Sequence, residues 1–210
     1  MSSESSIALE GSAATVAEFF EYSVYSILYH RGIYPEDDFK LTKAYGGHLL
    51  VSIDDDVKDY VQQITSQVKT WVSTRKLSKL VLLLVETDTL ETVERWQFDV
   101  HSDAPRSTKE EQGTEANGDQ QMVDENEIAL QIRAVMRQIT GSVTFLPTLE
   151  GDITFKVLVY ADHDIEVPST WGDSAPSLIK GGGETVRLKS FATTAHQIEP
   201  IINYRVNDSF

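Results

Sequence analysis

Apolar and polar residues alternate sharply over residues 94–100. Trp96, Phe98 and Val100 share one face, and Arg95, Gln97 and Asp99 the other; a period of two predicts a half-buried β-strand. Residues 80–86 are apolar almost without alternation and rich in Val and Leu, the pattern of a strand buried on both faces. The polar stretch between them, 87–91, predicts a turn joining antiparallel neighbours. Alternation returns at 153–160, where Ile153, Phe155, Val157 and Val159 oppose Thr154, Lys156, Leu158 and Tyr160. Shorter strands are expected at 49–53, 185–191 and 198–206.

Three segments follow a helical period instead. The first runs from Ser12 as N-cap to Arg31, burying Val16, Phe20, Val24, Ile27 and Leu28, and stops at Gly32. Before it stand residues 1–6, expected to be disordered, and a short apolar patch, Ile7 to Leu9, that ends at Gly11. The second helix is capped by Asp54, Asp55 and Asp56 and buries Val57, Val61, Ile64, Val68, Trp71 and Val72. The third buries Ile128, Ile132, Val135 and Ile139. Two residues advance a helix by about 200°, so Arg137 points away from Val135. With Gln138 beside it and Phe145 just beyond the helix, it reads as a contact surface. Residues 101–123 carry no apolar period and are expected to form a flexible loop. Residues 162–183 hold Pro168, Pro176, Gly172 and Gly181 to Gly183, with Trp171 as their one large anchor. The fold class is therefore α+β: one domain over 7–206, three helices on an antiparallel sheet, with a C-terminal β region on a flexible lead.

The net charge of −15 removes one function class. Phosphate binding needs clustered Lys and Arg, whereas here 18 basic residues are scattered among 33 acidic ones; no nucleic-acid partner is expected. The longest apolar run, 80–85, is too short to span a bilayer, so no membrane partner is expected. The start, MSSESS, lacks the features of a secretory signal. With no cysteine, disulfides, thiolate metal sites and a cysteine nucleophile are excluded. Cytosol or nucleus follows as the expectation.

Candidate chemistry is thin. His30, His48, His101, His163 and His196 share no metal-ligand spacing. Asp162-His163-Asp164 has the composition of a chelating or general-base triplet, and an undetected hydrolase would have to be built on it; its place just after a strand favours a polar turn. Asp54 to Asp56 lack the glycine and distal glutamate of a calcium loop and suit a helix cap. Gly181 to Gly183 are followed by Glu184 rather than by Gly-Lys-Ser/Thr, so they read as a hinge or loop tip, not a phosphate cradle. No G-x-S-x-G elbow is present. The expectation is a binding protein, not an enzyme, with no metal and no cofactor.

Five ordered blocks carry a resemblance: AEFF (17–20), SILYHRGIYP (26–35), ERWQFD (94–99), RQITGSVTFLP (137–147) and VRLKSF (186–191). Over nearly the whole chain it resembles the spindle-assembly-checkpoint HORMA proteins of the mitotic-arrest-deficient family. The resemblance implies a mobile C-terminal "safety belt", here 162–210. The belt covers one sheet edge in an open form. In a closed form it crosses to the opposite edge and encircles a partner peptide. Peptide binding would fall to strand 153–160, at Phe155, Val157, Leu158 and Tyr160, with Trp171 as belt anchor. Leu9 would control the open-to-closed balance, and Arg137, Gln138 and Phe145 would form the dimer face between an open and a closed copy. Implied partners are the WD-repeat coactivator of the anaphase-promoting complex, the kinetochore coiled-coil checkpoint adaptor, a second copy of the chain, and a AAA-type ATPase with a HORMA-like adaptor. The implied place is nucleus and cytoplasm, and kinetochores in mitosis. Gly181 to Gly183 and Pro200 depart from the family's belt. Alternatives are the accessory HORMA subunit of a translesion DNA polymerase and a static structural subunit.

Overall fold

The computed structural model describes residues 2–102 and 124–206, with side chains from residue 8 onward. Most of the expected flexible loop, and residues 207–210 of the expected belt, lie outside the described residues. Helix α1 (Ser2–His30) is followed by a small hairpin, β1 (Phe39–Ala44) and β2 (Gly47–Ser52). Then come α2 (Asp55–Ser73), β3 (Leu77–Glu86), β4 (Thr92–His101), α3 (Glu125–Gly141) and β5 (Ile153–Ala161). The chain ends with β6 (Glu184–Arg187), β7 (Phe191–Ala192) and β8 (Gln197–Tyr204). Among the described residues no helix is long and apolar enough to cross a membrane.

The main sheet is antiparallel, in the order β5-β3-β4-β8-β6, with β7 also on β8. Its centre is the apolar run: Leu80, Val81, Leu82, Leu83 and Leu84 are all at most 1% exposed, as a strand with a neighbour on each side requires. Leu80, Leu82 and Leu84 join Trp96, Phe98 and Val100 in one core beneath the helices. Val81, Leu83 and Val85 form a second, smaller cluster on the other face, with Leu158 and Tyr160 packed against it. Each fully buried side chain of this size contributes about 1.5–3 kcal/mol, so the two clusters make β3 the strand least able to move. On the outer face of β4, Arg95 donates to Gln97, Gln97 donates to Asp99 at 2.7 Å, and Lys79 reaches Asp99 at 3.6 Å.

Two expectations are corrected at the N-terminus. The backbone is helical from Ser2, where disorder over residues 1–6 was expected, and Ser12 lies inside the helix rather than capping it. Gly11 costs a helix only about 1 kcal/mol relative to Ala. Ser12 gains more by another route: it is 4% exposed, and its hydroxyl bonds Thr193 and, at 2.6 Å, His196 Nδ1. The Asp54 cap forms as expected, accepting from Val57 N–H at 2.9 Å; Asp124, which the sequence reading did not single out, caps α3 by accepting from Asn126 N–H at 3.0 Å.

The expected strand 185–191 is split into β6 and β7 around Pro200 of β8. A strand residue's N–H and C=O point the same way; Leu188 N–H donates to Pro200 O at 3.0 Å, so the N–H that proline lacks would have faced this interruption. A proline inside a sheet is tolerated only at such a break or an edge. The hairpin strand β1 is an addition to the sequence reading. Its turn needs a positive φ at Tyr45 (50°) and Gly46 (68°), the geometry of a two-residue hairpin turn, and Tyr45 Oη steadies it by donating to Glu18 at 2.8 Å.

Candidate functional site

The outer side of β5 carries no paired strand among the described residues. Its inner neighbour β3 holds it in register from Ile153 against Glu86 to Ala161 against Leu77, so its remaining N–H and C=O groups face outward, a template for another strand.

Beyond β5 the chain forms a strap, residues 162–183, that leaves this edge and rejoins the sheet at the far one. Its near end is pinned to α2 and the start of β3. Asp162 N–H donates to Lys76 O at 2.9 Å, Lys76 Nζ meets Asp164 at 2.7 Å, and Trp71 Nε1 donates to Glu166 O at 3.2 Å. The Trp71 and Trp171 rings then stack edge to face, centroids 5.0 Å apart. Asp162-His163-Asp164 is thus an exposed turn; Ile165 N–H closes it onto Asp162 O at 3.3 Å, and the Lys76 ammonium holds the Asp164 carboxyl below its usual range. Among the described residues no group of three or more His, Asp or Glu could hold a metal ion.

The far end is pinned by charge and by a close backbone approach. Lys180 Nζ meets Glu91 in the β3–β4 turn at 2.7 Å, and Arg205, just past β8, reaches Glu91 at 3.5 Å and also pairs with Glu86. Gly183 lies against β8 so tightly that a Cβ there would stand 2.4 Å from Tyr204 O. Gly183 is therefore close-packed, while Gly181 and Gly182, with open space around them, supply the bend at φ 78° and 86°.

Between α2, β5 and the strap lies an open channel of about 830 Å³. Val157, Leu158 and Trp171, three of the five residues expected to hold peptide, line it. Phe155 is one step removed, stacked on Tyr60 (5.4 Å) and Tyr34 (6.2 Å), and Tyr60 is itself in the lining. Tyr60's hydroxyl is pushed above its ordinary pKa, first by burial and then by Tyr34. Tyr160 is not in the lining; it packs on the outer cluster under Lys79 Nζ, 5.3 Å from its ring centroid. The opposite wall went unpredicted: Asp59, Gln63, Ser66, Gln67 and Thr70 of α2, with Lys156 of β5. Its signal in the sequence is a polar stripe at 59, 63, 66 and 70, one helix face that after Asp59 carries an amide and two hydroxyls.

The residues expected to form a dimer face stay together at one end of α3. Arg137 is exposed, and Phe145 is 44% exposed with its ring 6.2 Å from that of Tyr204. Gln138 is half-buried, and its Oε1 accepts from Lys189 N–H at 2.7 Å. Leu9 lies half-buried within α1.

A strap that joins opposite edges of one sheet, three helices on one face and a free edge strand define a HORMA domain, and the family model for the HORMA domain matches residues 12–196. A mitotic spindle checkpoint component from Saccharomyces cerevisiae, MAD2, is 46% identical over 95% of this chain and 98% of its own. The mad2 component of Schizosaccharomyces pombe is 45% identical (95% and 94%), and the Homo sapiens spindle assembly checkpoint protein MAD2A 39% (98% and 96%). A chain in a crystal structure of the mitotic checkpoint complex superposes with a TM-score of 0.81 at 43% identity, covering 93% of this chain and 99% of that one. HTP-2 bound to an HTP-3 motif shares the fold, with a TM-score of 0.64 at 13% identity. The chain belongs to the HORMA-domain family, in its branch of Mad2-type mitotic spindle checkpoint proteins.

Proposed function

We propose that this chain carries out its spindle-checkpoint role as a peptide clamp. A partner segment adds as a strand to the free edge of β5, main-chain bonds giving affinity and the channel walls giving selectivity. The strap then encloses it. The observation that carries this reading is the pair of anchors, Trp71–Trp171 at one end and Gly183 against Tyr204 at the other, with the channel lying between strap and sheet edge. β8 lies on β4, at the side of the sheet away from β5, and this supports reading the arrangement as the closed form; the open form would place the arm over the β5 edge instead. Leu9, carried within α1, would have yielded its separate place on closure.

The ligands best suited to the clamp are segments of the WD-repeat coactivator of the anaphase-promoting complex and of the kinetochore coiled-coil adaptor. A second copy would dock at Arg137, Gln138 and Phe145, at the C-terminal end of α3, and a AAA-type ATPase with a HORMA-like adaptor would reopen the clamp. The setting is nucleus and cytoplasm, and kinetochores in mitosis. The chain binds and releases and catalyses nothing. The fungal and human relatives at 39–46% identity are checkpoint proteins, which weighs against the polymerase-subunit alternative.

Enclosing a peptide requires strand bonds to break before they re-form, so association should be far slower than the ~10⁵ M⁻¹s⁻¹ of ordinary docking. Rapid mixing of the full chain with a coactivator peptide tests this. Slow, saturable association with still slower release supports the clamp; fast one-step binding, or none, overturns it.

A further inference from the structure

We infer that Gln131 and Gln138 of α3 form a two-point latch that holds the C-terminal arm by its backbone, and that Gln138 positions the arm rather than serving only as part of a docking surface. The arm between β6 and β7 has lost its strand partner, because β8 carries Pro200 opposite the interruption. Leu188 N–H donates to Pro200 O at 3.0 Å and Thr193 N–H to His196 O at 2.8 Å, both within the C-terminal region itself, and pairing with β8 resumes at Phe191 and Ala192. Two N–H groups of the arm donate instead to α3 side chains: Lys189 to Gln138 Oε1 at 2.7 Å and Ala192 to Gln131 Oε1 at 3.0 Å.

The spacing explains why two glutamines seven residues apart suffice. Seven residues raise a helix by about 10.5 Å, and three extended residues, from 189 to 192, span about 10 Å. The two rises match, with the arm antiparallel to α3. Between the two bonds Phe191 enters the core, 1% exposed, and its ring meets that of Phe19 at 4.7 Å. The latch reads main-chain N–H groups and is indifferent to the side chains of Lys189 and Ala192; proline is the residue it excludes at either position. It holds only an arm lying along α3, so this helix carries, side by side, the exposed Arg137 and the groups that register where the arm is.

Residue-resolved amide hydrogen exchange on the full chain, with no peptide present, tests the latch independently of the clamp reading. Three variants suffice: Gln138→Met, which keeps length and removes the acceptor; Gln138→Glu, which keeps an acceptor; and Arg137→Ala. Exchange at Lys189 should rise about tenfold in Gln138→Met, with β3 and β4 amides unchanged, and should stay near the wild-type rate in the other two. An unchanged Lys189 rate in Gln138→Met, or an equal rise in Gln138→Glu and Arg137→Ala, overturns the latch.

Discussion

Arg31, one residue past the end of α1, donates from Nε to Glu94 Oε2 of β4 at 3.1 Å and from Nη2 to the other carboxylate oxygen. The pair is buried, with side chains 7% and 2% exposed. The same guanidinium donates to Pro147 O, and Glu94 also accepts from Trp96 Nε1 at 3.1 Å. Three of the five sequence blocks that carry the family resemblance thus meet at one ion pair. Burial pushes the Glu94 carboxyl above its ordinary range, against the lowering pull of Arg31 and Trp96. Removing one partner of such a pair strands the other charge, which typically costs about 3–5 kcal/mol. Arg31→Ala should lower stability by that amount in urea unfolding. Glu94→Gln leaves the Arg31 charge unpaired and turns one of its two acceptor oxygens into a donor, so it should cost a comparable amount.

At the opposite end of α1, His196 is fully buried, with Nδ1 on Ser12 Oγ. Its pKa is lowered first by burial and further by Arg75, partly opposed by the pull of the Val72 backbone carbonyl. The unfolded chain takes up this proton near pH 6.5, the folded chain only at lower pH. Stability is therefore unaffected by this group above 6.5 and falls as pH drops below it, by at most about 1.4 kcal/mol per unit. His30, also lowered by burial, acts with the same sign. Thermal midpoints taken on either side of that pH should show the loss, and His196→Gln should flatten it.

Gly183 and Gly182 should fail differently. A Cβ at Gly183 meets the Tyr204 carbonyl, which is backbone and cannot rotate away; such overpacking typically costs about 1–3 kcal/mol. Gly183→Ala should detach β6 from β8, raising exchange at the amides of both. Gly182 has open space around it but a φ of 86°, so Gly182→Ala should cost about 1–2 kcal/mol of backbone strain while β6 stays paired.

Trp171→Ala removes the near anchor's aromatic contact with Trp71. Such pairs contribute about 0.5–1.5 kcal/mol beyond their buried area. A modest fall in the thermal midpoint is expected. The larger effect should be on a preloaded coactivator peptide, which should leave about ten times faster; an unchanged release rate would show that the strap's near end does not hold the ligand.

Much of this arrangement is legible in the sequence because its signals are periodic. β3, β4 and β5, the buried stripe of α2 and the Asp54 cap follow from spacing, and the ordered blocks point to the family. What escaped is made of contacts between distant segments. Ser12 reads locally as a cap because serine satisfies a free helix end; only the folded chain brings it to His196. Gln138 reads as surface because nothing local shows that Lys189 N–H has lost a strand partner. The channel wall on α2 escaped because a polar stripe on a helix resembles any solvated face. β1 escaped because its alternation is weak and Leu41 is 66% exposed.

The strap has one consequence that concerns size rather than strength. The sheet from β5 to β6 is four strand spacings wide, about 19 Å. Residues 162–183 could reach roughly 70 Å if fully extended. The strap is therefore slack, and its length is not dictated by the distance between its anchors. Lengthening a loop is cheap, since each doubling adds only about 0.6 kcal/mol of closure entropy. Extra residues beside Gly181 would leave the core as it is and widen the ring. The girth of any segment the strap would enclose is thus set by the number of residues in it, which can change at little cost to the fold.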